Sequence, residues 1–135
     1  PEAISLELVK EWHMKGYVNF LGETQDVRSY IAESDCIVLP SYYREGVPRC
    51  LLEGMAMRKP IITTDNVGCL DLIKDGINGY ICNQRDIKDL ADKMEKMYLL
   101  KVESRKQMGD AGLDIIKSNY EETIIIQLYH KKLNI

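Results

Sequence analysis

Four short apolar runs alternate along this chain with segments of helical periodicity, and that alternation limits the fold more than any other feature. The runs occupy residues 17–21, 36–39, 60–64 and 79–82. Each has the length and β-branched content of a buried strand, and near-continuous apolar character is what a parallel sheet covered on both faces requires. Between them, residues 26–33 behind Thr24 as a cap, 48–57 and 70–74 read as helices. Strand and helix in turn make βαβ units, so the expected class is α/β with a parallel sheet.

After Cys82 the pattern becomes helical only. Asp86 is placed to cap a helix in which Ile87, Leu90, Ala91, Met94, Met97 and Tyr98 recur at helical spacing. These Met and Tyr positions read as packing residues rather than a cofactor box. Further helices are expected over residues 103–118 and 121–133, with Asn119 and Tyr120 as the break between them. A chain of 135 residues can build one core but cannot hold two substrates by itself. It opens at Pro1 without an initiator methionine, and the expectation is a piece of a longer gene product.

Composition narrows the function classes. A net charge of -3 argues against nucleic acid as the main partner. There is no run of about 18 apolar residues and no basic segment leading into an apolar one, so neither a membrane span nor a signal peptide is expected. The expected location is the cytoplasm. Cys36, Cys50, Cys69 and Cys82 form no CxxC pair and read as reduced thiols packed like small hydrophobes, with no metal site.

The chemistry concentrates in residues 35–53, which read as strand, loop and helix. The strand ends near Pro40, the loop carries Ser41 through Gly46, and Pro48 suits a first helical turn. A helix N-terminus offers unpaired N–H groups and a positive dipole end to phosphate, and an open parallel sheet binds ligands beyond the carboxyl ends of its strands. Glu45 and Glu53 bracket this loop. A carboxylate only accepts hydrogen bonds, so a pair of ribose hydroxyls is a natural partner, although residue type alone favours Glu53 as a solvated helix residue. Arg44 and Arg49 either meet phosphate or stay solvated, and Ser41 either donates to phosphate or caps the loop. His13 and His130 read as surface or packing residues of helix-like tails. The set Lys93, Lys96, Lys101, Arg105 and Lys106 reads as a solvated helix face.

The seven-residue gap between Glu45 and Glu53, with Pro-Ser before it, resembles the EX7E signature of family-4 retaining glycosyltransferases of the GT-B fold. Val18-Asn-Phe-Leu-Gly22, Arg58-Lys-Pro-Ile-Ile-Thr-Thr-Asp65 and Asp75-Gly-Ile-Asn-Gly-Tyr80 are similar to further family blocks in the same order. The likeness is close over residues 17–92, and residues 86–133 resemble the family's C-terminal helices. Tyr43-Arg-Glu-Gly-Val-Pro-Arg49 and Gly68-Cys69 resemble enzymes of bacterial capsule or lipopolysaccharide assembly.

The resemblance implies a Rossmann-like, donor-binding C-terminal domain over residues 1–135, lacking its first strands and ending in a helical tail. It implies that Glu45 lies against hydroxyls of the transferred sugar, as the catalytic carboxylate, and that Glu53 holds the ribose. Gly46, Val47, Pro48, Arg49 and Ser41 would face the sugar and diphosphate, and Leu21 and Gly22 would lie near the nucleotide base. No Asp-x-Asp triplet occurs, which agrees with a GT-B enzyme that needs no bound cation and no cofactor beyond its nucleotide-sugar donor. A glycan or lipid-linked acceptor would bind an amino-terminal domain upstream of Pro1, as would an Arg and Lys pair that steadies the leaving phosphate, so this chain alone is expected to be inactive. Peripheral contact with the cytoplasmic face of a membrane fits such acceptors. Cys69-Leu70-Asp71 departs from the family's Cys-Arg-Glu, and Gly54 and Arg58 stand where Ala and Gly are usual, which reads as altered packing. Two other classes remain open: a nucleotide-sugar binding module without catalysis, and a nucleotide-sugar epimerase of the same architecture. Doubly wound strand order leaves residues 36–39 on an open edge, so self-association is expected.

Overall fold

The computed structural model describes residues 4–44 and 46–120. Helix α1 (Leu6–Met14) is followed by α2 (Arg28–Glu33), β1 (Ile37–Leu39), α3 (Arg49–Ala56), β2 (Ile61–Thr64), α4 (Val67–Leu70), β3 (Gly79–Cys82), α5 (Ile87–Leu99) and α6 (Val102–Asn119). The sheet runs β1-β2-β3 and is parallel throughout, with Ile37 opposite Ile61 and Ile61 opposite Gly79. The central strand β2 is buried along its whole length, which is why it reads as an unbroken apolar and threonine run. The likeness of class, Rossmann-like α/β with helices on both faces and a helical end, is therefore as the sequence implied.

The alternation of strand side chains divides the core in two. Ile61 joins Leu51, Met55, Cys69, Leu72 and Ile73 under α3 and α6, with Ile37, Leu39 and Ile81 against them. Ile62 and Tyr80 point to the other face and pack on Met97, Leu90 and Met108. Neighbouring positions on a strand feed opposite faces, so one short strand nucleates both layers. Helix α6 reaches the first face through Gly109, where a Cβ would stand 1.9 Å from the carbonyl oxygen of Arg58.

Several expectations need correction. Residues 17–21 are not a strand, and Tyr17 is 73% exposed. Two of their five backbone donors turn back to the preceding helix, Tyr17 N to Trp12 O and Phe20 N to His13 Nδ1, and no ladder to another described strand forms. The helical turn expected over 70–74 begins earlier, at Val67, because Asn66 accepts from the amides of Cys69 and Leu70 through its backbone carbonyl. Pro48 is the residue before α3 rather than in its first turn. Residues 26–33 start their helix at Arg28, where Asp26 Oδ1 accepts from the Arg28 amide and Thr24 Oγ1 accepts from Asp26 N.

Asp86 caps α5 as expected, accepting from Asp89 N at 2.9 Å. Of the residues at helical spacing, Met97 is buried, whereas Ile87 and Tyr98 face outward because α5 lays only its Leu90–Met97 side on the sheet. Cys50 is exposed while Cys69 and Cys82 are buried, so Cys50 departs from the packed-thiol reading. Arg58 follows α3 with φ at 58°, in the left-handed region that glycine favours. The arginine at this position is therefore a matter of backbone conformation as well as of packing. Helix α6 falls within a residue of the expected bounds, and the helix expected over 121–133 lies outside the described residues. Among those described, no helix is long and apolar enough to cross a membrane.

Candidate functional site

The carboxyl ends of the three strands lie side by side, and the loops that leave them are cross-linked. Thr63 Oγ1 donates to the Leu39 carbonyl at 2.8 Å, Thr64 Oγ1 donates to the Ser41 carbonyl, and Asn66 Nδ2 donates to the Tyr43 carbonyl. Asp65 N donates to Cys82 O, and Asp65 Oδ1 accepts from Gln84 N at 3.0 Å, which ties the end of β3 to the end of β2. The guanidinium of Arg85 lies 3.6 Å from the centre of the Tyr42 ring, within cation–π range.

Beside this edge, α2 and α3 bound a cleft of about 450 Å³ lined by Gln25, Asp26, Val27, Arg28, Arg49 and Glu53, together with Ile31, Ala56 and Met57. Helical spacing puts Arg49 and Glu53 one turn apart on one face, and Arg49 Nε donates to Glu53 Oε1 at 2.9 Å. On the opposite wall Arg28 clamps Asp26 with two hydrogen bonds, of 2.9 and 2.7 Å. Those side-chain bonds, helped by the Arg28 amide, hold the Asp26 carboxyl down at about 2. The cleft lining therefore combines two arginines and two carboxylates with the apolar side chains of Val27, Ile31, Ala56 and Met57. Such a mixture suits a ligand with an anionic part, hydroxyls and a flat apolar part.

Of the residues expected from sequence, Arg49 and Glu53 line this cleft together. Pro48 is buried behind them, and Gly46 and Val47 are exposed on the loop. Ser41 is half-buried; its carbonyl is held by Thr64, and its hydroxyl makes no hydrogen bond to another described residue. Leu21 and Gly22 are exposed and stand outside the cleft lining, which begins at Gln25. Glu45 lies outside the described residues. Sequence reasoning missed Asp26, Arg28, Asn66 and Arg85. The polar Thr-Thr-Asp-Asn run that ends an otherwise apolar strand was the available signal for Asn66.

A three-stranded parallel sheet flanked by helices, with a carboxylate–arginine cleft beside its carboxyl edge, places the chain in the α/β class. Residues 5–114 match the model of the glycosyl transferases group 1 family, and the chain belongs to that family. It is 33% identical over 134 residues to the Campylobacter jejuni N,N'-diacetylbacillosaminyl-diphospho-undecaprenol alpha-1,3-N-acetylgalactosaminyltransferase, covering 97% of this chain and 33% of that protein. It is also 33% identical over 125 residues to the Bacillus anthracis N-acetyl-alpha-D-glucosaminyl L-malate synthase, covering 92% of this chain and 32% of that protein. Anabaena HepE in complex with UDP shares the fold with a TM-score of 0.83 at 21% identity, over 95% of this chain and 37% of HepE. The chain spans about a third of the length of the curated relatives it matches. Its fold is that of the C-terminal domain of a GT-B protein, and its relatives include a capsular polysaccharide biosynthesis glycosyltransferase of Staphylococcus aureus.

Proposed function

We propose that this chain is the donor-binding domain of a glycosyltransferase that moves a hexosyl group from a nucleotide sugar to a growing polysaccharide or lipid-linked acceptor. The observation that carries this reading is the cleft between α2 and α3, where Glu53 and Arg49 meet in a space of about 450 Å³. The ribose hydroxyls donate to Glu53, and the diphosphate draws Arg49 away from it. The first turn of α3, which has no acidic residue and no side-chain cap, faces the phosphates with its dipole. Structures of HepE hold UDP and UDP-glucose, which supports a nucleotide-sugar donor here.

Within this reading the transfer retains anomeric configuration, Glu45 orients the transferred sugar, and charge on the leaving diphosphate is met by the helix end and basic side chains without a metal ion or other cofactor. Gly46, Val47 and Ser41 line the path of the sugar and diphosphate, with Leu21 and Gly22 toward the base. The acceptor belongs to an amino-terminal domain outside this chain, and the protein works in the cytoplasm, in peripheral contact with the membrane where its acceptor is lipid-linked. Saturation-transfer NMR against UDP-, GDP- and ADP-sugars tests the proposal. Contacts to ribose and sugar protons from one of the three are expected, and no transfer from any of them would contradict it.

A further inference from the structure

The hydrogen-bonded ladder between β1 and β2 stops at Leu39 opposite Thr63, yet the chain beyond it remains attached. The carbonyls of Leu39, Ser41 and Tyr43 each accept from a side chain at the end of β2, those of Thr63, Thr64 and Asn66. Thr63 and Thr64 are neighbours and leave β2 on opposite faces, and Ser41 N bonds back to the Leu39 carbonyl, so the three side chains tether a turning segment from both sides over the four residues past the strand. All three are at most 4% exposed. The donors are shielded from water, and losing a partner would leave a buried donor unsatisfied, while the accepting carbonyls belong to the half-buried Ser41 and the exposed Tyr43. Packing alone would be served as well by valine and leucine. The polar choice is directed at the loop.

We infer that Thr64 and Asn66 are positioning residues for residues 41–44: they hold this loop in its binding-ready form without touching the ligand. The inference rests on the reading of the segment ahead of α3 as the donor loop. A loop ordered before the ligand arrives loses little conformational freedom on binding, and affinity rises accordingly. Arg85 adds to the same effect from β3, by stacking on Tyr42.

The test uses the 135-residue chain. Thr64→Val keeps the shape and removes the hydroxyl, Thr64→Ser keeps the hydroxyl, and Asn66→Leu removes the amide. Nitrogen-15 relaxation of Tyr42, Tyr43 and Arg44 in the free chain should give order parameters near roughly 0.85 in the wild type and below about 0.6 in Thr64→Val and Asn66→Leu. Order parameters of β2 and β3 should stay unchanged. Dissociation constants for whichever of UDP, GDP or ADP binds should rise at least about fivefold in both variants, and Thr64→Ser should resemble the wild type in both readouts. Unchanged loop order in Thr64→Val and Asn66→Leu, a loosened loop with unchanged affinity, or Thr64→Ser behaving like Thr64→Val would each overturn the inference. A wild-type chain that binds none of the three nucleotides contradicts the donor reading instead, and the relaxation data still decide whether Thr64 and Asn66 hold the loop.

Discussion

Arg49 and Glu53, two residues expected at the donor from their place in the chain, are bonded to each other across one turn of α3 at 2.9 Å. The arginine side chain is 90% exposed and the glutamate 36%, so the pair sits in water and contributes at most about 0–1 kcal/mol to the fold. A bond this weak opens readily when a diphosphate competes for the guanidinium. Arg49→Ala should therefore leave the urea unfolding free energy within about 0.5 kcal/mol of wild type. It should weaken binding of a nucleoside diphosphate while leaving the nucleoside alone unaffected. Calorimetry with UDP and uridine, or the matching pair for another base, checks this, and equal losses for both ligands would place Arg49 elsewhere.

Gly109 carries the contact between α6 and the end of α3. A methyl group there would meet the Arg58 carbonyl oxygen at 1.9 Å, and backbone cannot give way as a flexible side chain can. Gly109→Ala should destabilise the chain by about 1–3 kcal/mol despite the better helix propensity of alanine. Denaturant melts read the change directly. A stability equal to or above wild type would mean that α6 does not close on α3 in this way.

The three strands were legible in the sequence because β-branched runs between helical segments have few other uses. Residues 17–21 looked the same and are not a strand, since a strand exists only where a neighbour supplies a ladder, and here two of the donors turn back to Trp12 and His13. Local composition cannot report that choice. At the candidate site, Glu53 and Arg49 were legible through the resemblance to the EX7E blocks, while residue type alone favours a solvated Glu53 and leaves Arg49 open. Asp26 and Arg28 reach the same cleft from another helix, and Asn66 meets Tyr43 across 23 residues of chain. Such partners come together only through tertiary packing, which no local pattern encodes. Ile87 and Tyr98 matched the apolar spacing of α5 yet face outward, because a helix resting on a sheet covers a narrower stripe than its sequence can supply.

Strand β1 pairs with β2 on one side only, among the described residues, and Val38 in its middle is 36% exposed. An apolar strand with a free row of N–H and C=O groups pairs readily with another chain. The 135-residue chain should self-associate at high micromolar concentration, and Val38→Lys should reduce that association by placing charge on the edge. Light scattering that gives a single monomer mass for the wild-type chain under those conditions would sink the idea.

Glu45 is assigned to orientation of the sugar, an interaction that matters most as the transition state forms. In a protein long enough to turn over, Glu45→Ala should lower kcat by more than it raises the donor KM. Steady-state kinetics separate the two, and a variant whose only change is a higher KM would give the residue a binding role instead.

On the proposed reading, the cleft between α2 and α3 holds the ribose of a nucleotide-sugar donor on Glu53. Calorimetric titration of wild-type chain and Glu53→Gln with UDP, GDP and ADP tests this, because the amide keeps the shape while it removes the charge and turns one acceptor oxygen into a donor. One nucleotide should bind the wild type and lose about 1.5–3 kcal/mol in the variant, the usual worth of hydrogen bonds to a charged acceptor. Equal affinity in the two proteins would contradict it.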